Sequence, residues 1–273
     1  MKTSSSKHSG SKKTKNLVQQ NQRSAKQFLS SLHRAPFVAL FAVAILLSAL
    51  SISIMKPING TSEVAAATAK WGMNGVDILQ SPSDADRIAQ LNDIKASGAG
   101  WVRFDVTWSY IQPTKTTWNW SYYDKVMNQV QQAGLQPIML IAYGNTAFGS
   151  ANNNAPPKNY QDYANFAATV AKRYAPLGFH TYEIWNEPNL SQFWGGKADA
   201  TAYTSLLKKA YASVRAADPS ATVISAGIAP SDNSNNGNLP QQTYLKNMYR
   251  AGVKGYFSAL GYHPYVGSGW DQI

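Results

Sequence analysis

Between residues 71 and 263, short apolar runs alternate with longer segments in which apolar positions recur every three or four residues. The short runs, at 71–76, 101–106, 137–143, 180–186, 222–226 and 257–263, are rich in Val, Ile, Trp, Tyr and Phe, as strands are. The longer ones, at 83–96, 122–133, 160–174, 200–216 and 241–251, follow the helical period. Ser83 stands where a helix needs a cap, and Gly98, Gly134 and Gly252 fall where helices end. Successive strand starts lie 30 to 43 residues apart, room for a strand, a crossover helix and two loops. This spacing predicts an α/β chain with mostly parallel strands, either a doubly wound sheet or a (β/α)8 barrel. No G-x-G-x-x-G follows the first strand and no phosphate-cradling G-x-x-x-x-G-K-[ST] occurs anywhere. Polar and aromatic residues instead gather just past several strand ends: Trp108-Ser109-Tyr110, Gly144-Asn145, Asn186-Glu187, Ser231-Asp232-Asn233 and His263-Pro264-Tyr265. Groups collected from the C-terminal ends of different strands are what a barrel active site requires.

Composition changes this picture only at the N-terminus. The chain of 273 residues carries a formal charge of +11, but residues 1–62 hold nine Lys/Arg and no Asp/Glu, leaving 16 basic against 14 acidic residues in the remainder. A nearly neutral body without a basic stripe is a poor phosphate-binding surface, so no nucleic-acid partner is expected. Residues 1–34 form a basic tail, expected to be solvated and cytoplasmic. Residues 35–55 are 21 uncharged positions, enough to cross the roughly 30 Å hydrocarbon layer of a bilayer as one helix. With eight basic residues before that run and only Lys56 just after it, the body is expected outside the cytoplasm. A cleaved signal peptide ending at the small-x-small sequence Ala67-Thr68-Ala69 is the competing reading, which would make the body a secreted protein. Residues 56–70 read as a linker and 71–273 as the globular body. There is no cysteine, which excludes disulfides, thiolate nucleophiles and thiolate metal sites, and the four histidines show no metal-ligand spacing.

The strongest chemical signal is Glu183-Ile184-Trp185-Asn186-Glu187-Pro188-Asn189. Strand alternation places Glu183, Trp185 and Glu187 on one side, with Pro188 ending the ladder. A carboxyl at such a terminus, partly shielded from water, suits a general acid. Glu183, deeper in the strand, is expected to be a buried ion-pair partner of Arg103 or Lys172.

Together with Val102-Arg103-Phe104 and His263-Pro264-Tyr265, this segment resembles the glycoside hydrolases of the large (β/α)8 clan, cellulase-like family five and xylosidase-like family thirty-nine, over residues 71–265. The resemblance implies a TIM barrel in which Glu187 is the acid/base of retaining hydrolysis and Asn186 donates to the sugar 2-hydroxyl. It further implies that Arg103 and Tyr265 position a nucleophilic carboxylate and that His263 touches substrate or nucleophile, with a carbohydrate substrate and no metal or organic cofactor. Trp108, Trp185 and Trp194 are candidates for stacking on sugar rings, Trp194 being expected as the exposed platform, with ordinary core or rim roles as the alternative. Two features depart from the family pattern. Tyr143-Gly144-Asn145 stands where some members carry a His, and the family nucleophile, a Glu ending strand seven, has no counterpart before Ile273. The only acidic residue after Asp232 is Asp271, in a Gly-rich loop. The expected architecture is therefore an incomplete barrel of about six of eight βα units. A surface carbohydrate-binding protein on a degenerate barrel, without turnover, is the alternative function.

Overall fold

The computed structural model describes residues 71–231 and 235–265. The basic tail, the apolar run at 35–55 and the linker, like Asp232, Asn233 and Asp271, lie outside them. Among the described residues no helix is long and apolar enough to cross a membrane.

Among the described residues, five parallel strands form one sheet in sequence order: β1 (Gly72–Asn74), β2 (Trp101–Thr107), β3 (Gln136–Ala142), β4 (Thr181–Asn186) and β5 (Thr222–Gly227). The crossover helices are α1 (Asp84–Ala96), α2 (Ser121–Gln132), α3 (Tyr160–Tyr174), α4 (Ala200–Ala217) and α5 (Gln241–Arg250). Strand order without a switch point, with every crossover a helix, is the construction of a (β/α)8 wall rather than of a doubly wound sheet.

Alternation in β2 shows how the layers divide. Val102, Phe104 and Val106 are fully buried towards the helices, whereas Trp101, Arg103, Asp105 and Thr107 face the other side and stay half-buried. Ile141, Ile184 and Val223 continue the helix-facing layer, packed with Leu91, Val126, Phe166, Val170, Leu206 and Val214 in one core cluster. Side-chain oxygens start three of the helices: Ser83 Oγ accepts the Asp86 N–H at 3.2 Å, Asn159 Oδ1 that of Gln161 at 3.0 Å, and Asp199 Oδ1 those of Thr201 and Ala202 at 2.9 Å.

The first and last expected strands differ from the rest. β1 is only three residues long, because after Asn74 the chain turns at Gly75 into a 3-10 turn at Val76–Gln80. The segment at 257–263 runs parallel to β5 but is bridged to it only at Ile224–Ala259 and Ile228–Tyr262. Gly261 explains the break: a Cβ there would lie 2.4 Å from the Ser225 carbonyl oxygen, and its N–H donates to the Ser225 hydroxyl at 3.0 Å instead of to a carbonyl. The sixth run therefore passes too close to β5 for a regular ladder, yet still delivers His263 to the strand ends.

Candidate active site

The candidate groups collect on the inner face of the sheet, from Arg103 and Glu183 within β2 and β4 to Asn186 and Glu187 at the C-terminal end of β4. Arg103 reaches across from β2 to β4: its Nε donates to Glu183 Oε2 at 2.6 Å, and its Nη2 donates to Glu183 Oε1 at 3.0 Å and to Asn186 Oδ1 at 2.9 Å. Of the two partners left open for Glu183, the structure selects Arg103. Glu183 Oε1 also accepts the Gly227 N–H at 3.1 Å, so this carboxylate, 5% exposed, ties three strands together. Burial opposes the Arg103 charge, but the hydrogen bonds and the charge of Glu183 hold the guanidinium above its ordinary value. Just past the end of β3 stands Tyr143, its ring edge-on to Trp185. Burial, reinforced by the charge of Asp105, pushes the Tyr143 phenol well up, so it stays a neutral hydrogen-bonding group.

Glu187 meets His263, whose Nδ1 lies 2.7 Å from Glu187 Oε1, with the two side chains 13% and 14% exposed. A carboxyl at a strand end within hydrogen-bond distance of an imidazole has the geometry that proton transfer requires. The imidazole fits over β5 only because Gly227 lacks a side chain: a Cβ there would stand 2.1 Å from His263 Nε2.

Simple alternation does not produce this arrangement. Trp185 and Glu187 both have left-handed backbones, with φ of 71° and 49°, rare for side chains other than Gly, Asn or Asp. The strand end therefore twists. Glu183 and Asn186 meet at Arg103, while Trp185 turns away into an aromatic cluster, its ring centroid 5.5 Å from Tyr143, 5.6 Å from Tyr163 and 5.1 Å from Trp194. The expected shared side of Glu183, Trp185 and Glu187 is corrected accordingly.

The tryptophan readings are corrected as well. Trp108 is fully buried, stacked on Phe166 at 5.6 Å, with its Nε1–H donated to Gln112 Oε1 at 2.9 Å. Trp194 is 5% exposed, its ring edge-on to Trp185 and Tyr203, so it is no exposed platform. Trp185 is buried, with its indole N–H donated to the Phe193 carbonyl at 2.7 Å. Large rings bury more apolar area in the core than any rim position offers them, and the indole N–H groups of Trp108 and Trp185 have internal acceptors. Tyr265 is 60% exposed and stands 5.2 Å from the His263 ring without a hydrogen bond of its own among the described residues.

Two groups were not singled out from the sequence. Asp105 sits two residues beyond Arg103 on the same face of β2, level with Glu183 through the register Asp105–Leu140–Glu183. Burial pushes its carboxyl up, with the Arg103 charge opposing and Glu183 adding to the shift. Strict alternation from Arg103 would have found it. Asn189 is fully buried: its Oδ1 accepts the Ala229 N–H at 3.0 Å and its Nδ2 donates to the Ala229 carbonyl at 2.8 Å, pinning the loop after Glu187 to the chain beyond β5. A separate cleft of about 890 Å³, between the start of α4 and the end of α5, is lined in part by Trp194 but by none of the strand-end polar groups Arg103, Glu183, Asn186, Glu187 and His263.

A strand-end carboxyl in an Asn-Glu-Pro context, set beside a guanidinium–carboxylate pair, agrees with what comparison with other proteins finds. The model of glycosyl hydrolases family 39 matches residues 68–239. This chain belongs to glycosyl hydrolases family 39. Membership places it among the glycoside hydrolases of the (β/α)8 clan, as the motifs implied. A β-xylosidase from Geobacillus stearothermophilus is 27% identical over 119 residues, which cover 38% of this chain and 23% of that protein. Among solved structures, a family 39 glycoside hydrolase from Bacteroides cellulosilyticus superposes with a TM-score of 0.55 at 22% identity, covering 69% of this chain and 37% of that one. A monomeric β-xylosidase from Caulobacter crescentus gives 0.53 at 21%, covering 70% of this chain and 40% of that one. These two likenesses establish the barrel-type fold. The chain spans less than half the length of each of these relatives. The family 39 match ends at residue 239, so Glu187, Asn186 and Arg103 fall inside it and His263 and Tyr265 beyond it.

Proposed function

We propose that this family 39 protein hydrolyses O-glycosidic bonds with retention of configuration, Glu187 serving as the general acid and then the general base. The observation that carries this reading is the 2.7 Å contact between Glu187 Oε1 and His263 Nδ1 at the open end of the sheet. In the first step Glu187 protonates the departing glycosidic oxygen while a carboxylate from outside the described residues attacks the anomeric carbon. In the second it takes a proton from the water that releases the sugar. Asn186, whose Oδ1 is held by Arg103, presents its amide N–H to the sugar, and Glu183 stays committed to Arg103. The names of the relatives make β-xylosides the first substrates to try. The sequence of residues 1–62 supports display of the body outside the cytoplasm on a single N-terminal helix; extraction of membranes with alkaline carbonate tests that, and release of the protein would contradict it.

The decisive variant is Glu187→Gln in the full-length protein. Hydrolysis of unactivated oligosaccharides is expected to fall about 10²- to 10⁴-fold, the span of general acid–base catalysis. Aryl glycosides with good leaving groups should lose much less in the glycosylation step. Unchanged turnover of an unactivated substrate would remove Glu187 from the mechanism, and binding of oligosaccharide without turnover by the wild type would favour a carbohydrate-binding protein.

A further inference from the structure

The hydrogen-bond ladders on both sides of β4 are interrupted at the same level, just below the twisted strand end. With the register Ile141–Ile184–Ser225, a regular parallel ladder would join the Trp185 N–H to the Ile141 carbonyl and the Ala226 N–H to the Ile184 carbonyl. A tyrosine hydroxyl stands in each place. Tyr203, from α4, donates to the Ile184 carbonyl at 2.9 Å and accepts the Ala226 N–H at 2.6 Å. Tyr163, from α3, donates to the Ile141 carbonyl at 2.7 Å and so occupies the acceptor that the Trp185 N–H would take in a regular ladder. Both rings are fully buried, and each is the fourth residue of its helix. On the β5 side the ladder resumes above this point, with the Glu187 N–H donating to the Gly227 carbonyl at 2.9 Å, whereas pairing with β3 ends at Ile184.

We infer that Tyr163 and Tyr203 are positioning residues: as a pair of hydroxyl wedges they hold the end of β4 apart from β3 and β5, so that it keeps the twist that presents Asn186 and Glu187. The inference rests on the reading of Glu187 as the acid. Left-handed φ at two non-glycine residues of one strand end is a strained arrangement, and such strain persists only where the surroundings enforce it. A hydroxyl inserted into a ladder supplies that enforcement: it satisfies both backbone groups while forbidding their direct approach. Without it the N–H and C=O can meet only if the strands close up, and closing moves the residues that follow.

The test uses Tyr163→Phe, Tyr203→Phe and the double variant in the full-length protein, with Tyr123→Phe as control. The Tyr123 hydroxyl accepts the Thr107 N–H at 3.0 Å, on β2, so it shares the burial and the backbone bond without touching β4. Turnover is measured on aryl glycosides of increasing leaving-group basicity. For the two β4 variants kcat on the poorest leaving groups is expected to fall about tenfold to a hundredfold more than on the best, with KM little changed, as misplacement of an acid by a fraction of an ångström would cause. The Tyr123 variant should lower Tm without altering leaving-group dependence. Equal losses across the series for the β4 variants would mean the hydroxyls only stabilise the fold, and would overturn the inference. Amide hydrogen exchange gives a readout that does not need catalysis: the Glu187 and Gly227 amides should lose protection in the β4 variants and keep it in the Tyr123 variant. If the wild type hydrolyses no glycoside, the functional reading fails, and exchange alone decides the wedge. Unchanged protection at Glu187 would then refute it.

Discussion

The lower and upper halves of β4 follow different rules. From Thr181 to Ile184 the strand is regular: Tyr182 and Ile184 pack towards the helices, Glu183 faces inward, and the chain pairs with β5 from Thr181 and with β3 from Tyr182. From Trp185 to Asn189 the backbone turns left-handed twice, side chains replace ladder partners, and an asparagine is buried to pin the loop. The lower half contributes the ion pair that joins β2 to β4, and the upper half presents Glu187, the carboxyl proposed as the acid. Regular structure places a group once the register is known, whereas Asn186 and Glu187 sit where a separate set of side chains overrides regularity.

Breaking the lower half should cost the most stability. Arg103→Ala leaves Glu183 buried with its charge uncompensated apart from the Gly227 N–H, and removing one member of such a pair typically costs about 3–5 kcal/mol. Urea unfolding should show this as a lower midpoint; removal of the exposed Lys125 at its contact with Asp84 should leave the midpoint nearly unchanged. Gly227→Ala attacks the upper half. Its methyl would meet the His263 ring at 2.1 Å, so the imidazole must leave Glu187. The expected cost is about 1–3 kcal/mol, the usual penalty of overpacking. The pH–rate profile on poor leaving groups should change together with the melt, whereas an unaltered profile would show that the His263 contact is dispensable.

A smaller effect is expected at Asp105, which lies level with the regular part of β4. Because burial raises its folded pKa, the native state binds the proton more tightly than the unfolded chain does. Its contribution to stability is therefore fully present below the unfolded carboxylate pKa and lost as pH rises through the raised, folded value. Asp105→Asn should remove that loss, so the variant gains stability over the wild type at neutral pH and gains less in acid. Thermal melts of both proteins across the carboxylate range check the sign. An equal difference at all pH values would mean that the shift is not expressed.

What the sequence revealed follows the same division. The helices at 160–174 and 200–217 and the strands from β2 to β5 begin and end within a residue or two of where periodicity and capping residues placed them, because each answers to local rules. Glu187, Asn186, Arg103 and His263 were legible as a motif set, and the structure brings Arg103 to Asn186 and His263 to Glu187. The twist of Trp185 was not legible, since nothing in a single strand's alternation reports what two neighbouring helices insert beside it. The burial of Trp108 and Trp194 escaped for a related reason: a loop residue's exposure depends on how the loop folds back. One trace of the wedges was nevertheless present. Tyr123, Tyr163, Tyr203 and Tyr244 recur about every 40 residues, each in the first turn of a crossover helix. A repeat in step with the βα unit points to a residue used in the same way in each unit, and three of these hydroxyls bind strand backbone.

The role of Glu187 is tested most directly by chemical rescue. In Glu187→Ala, full-length and supplied with an aryl glycoside whose leaving group needs no protonation, the first step proceeds and the second lacks its base. Added azide, a nucleophile that needs no base, should then restore turnover and yield a glycosyl azide of the same anomeric configuration as the substrate. A glycosyl azide of inverted configuration would assign Glu187 to nucleophilic attack instead, and turnover indifferent to azide would contradict the account.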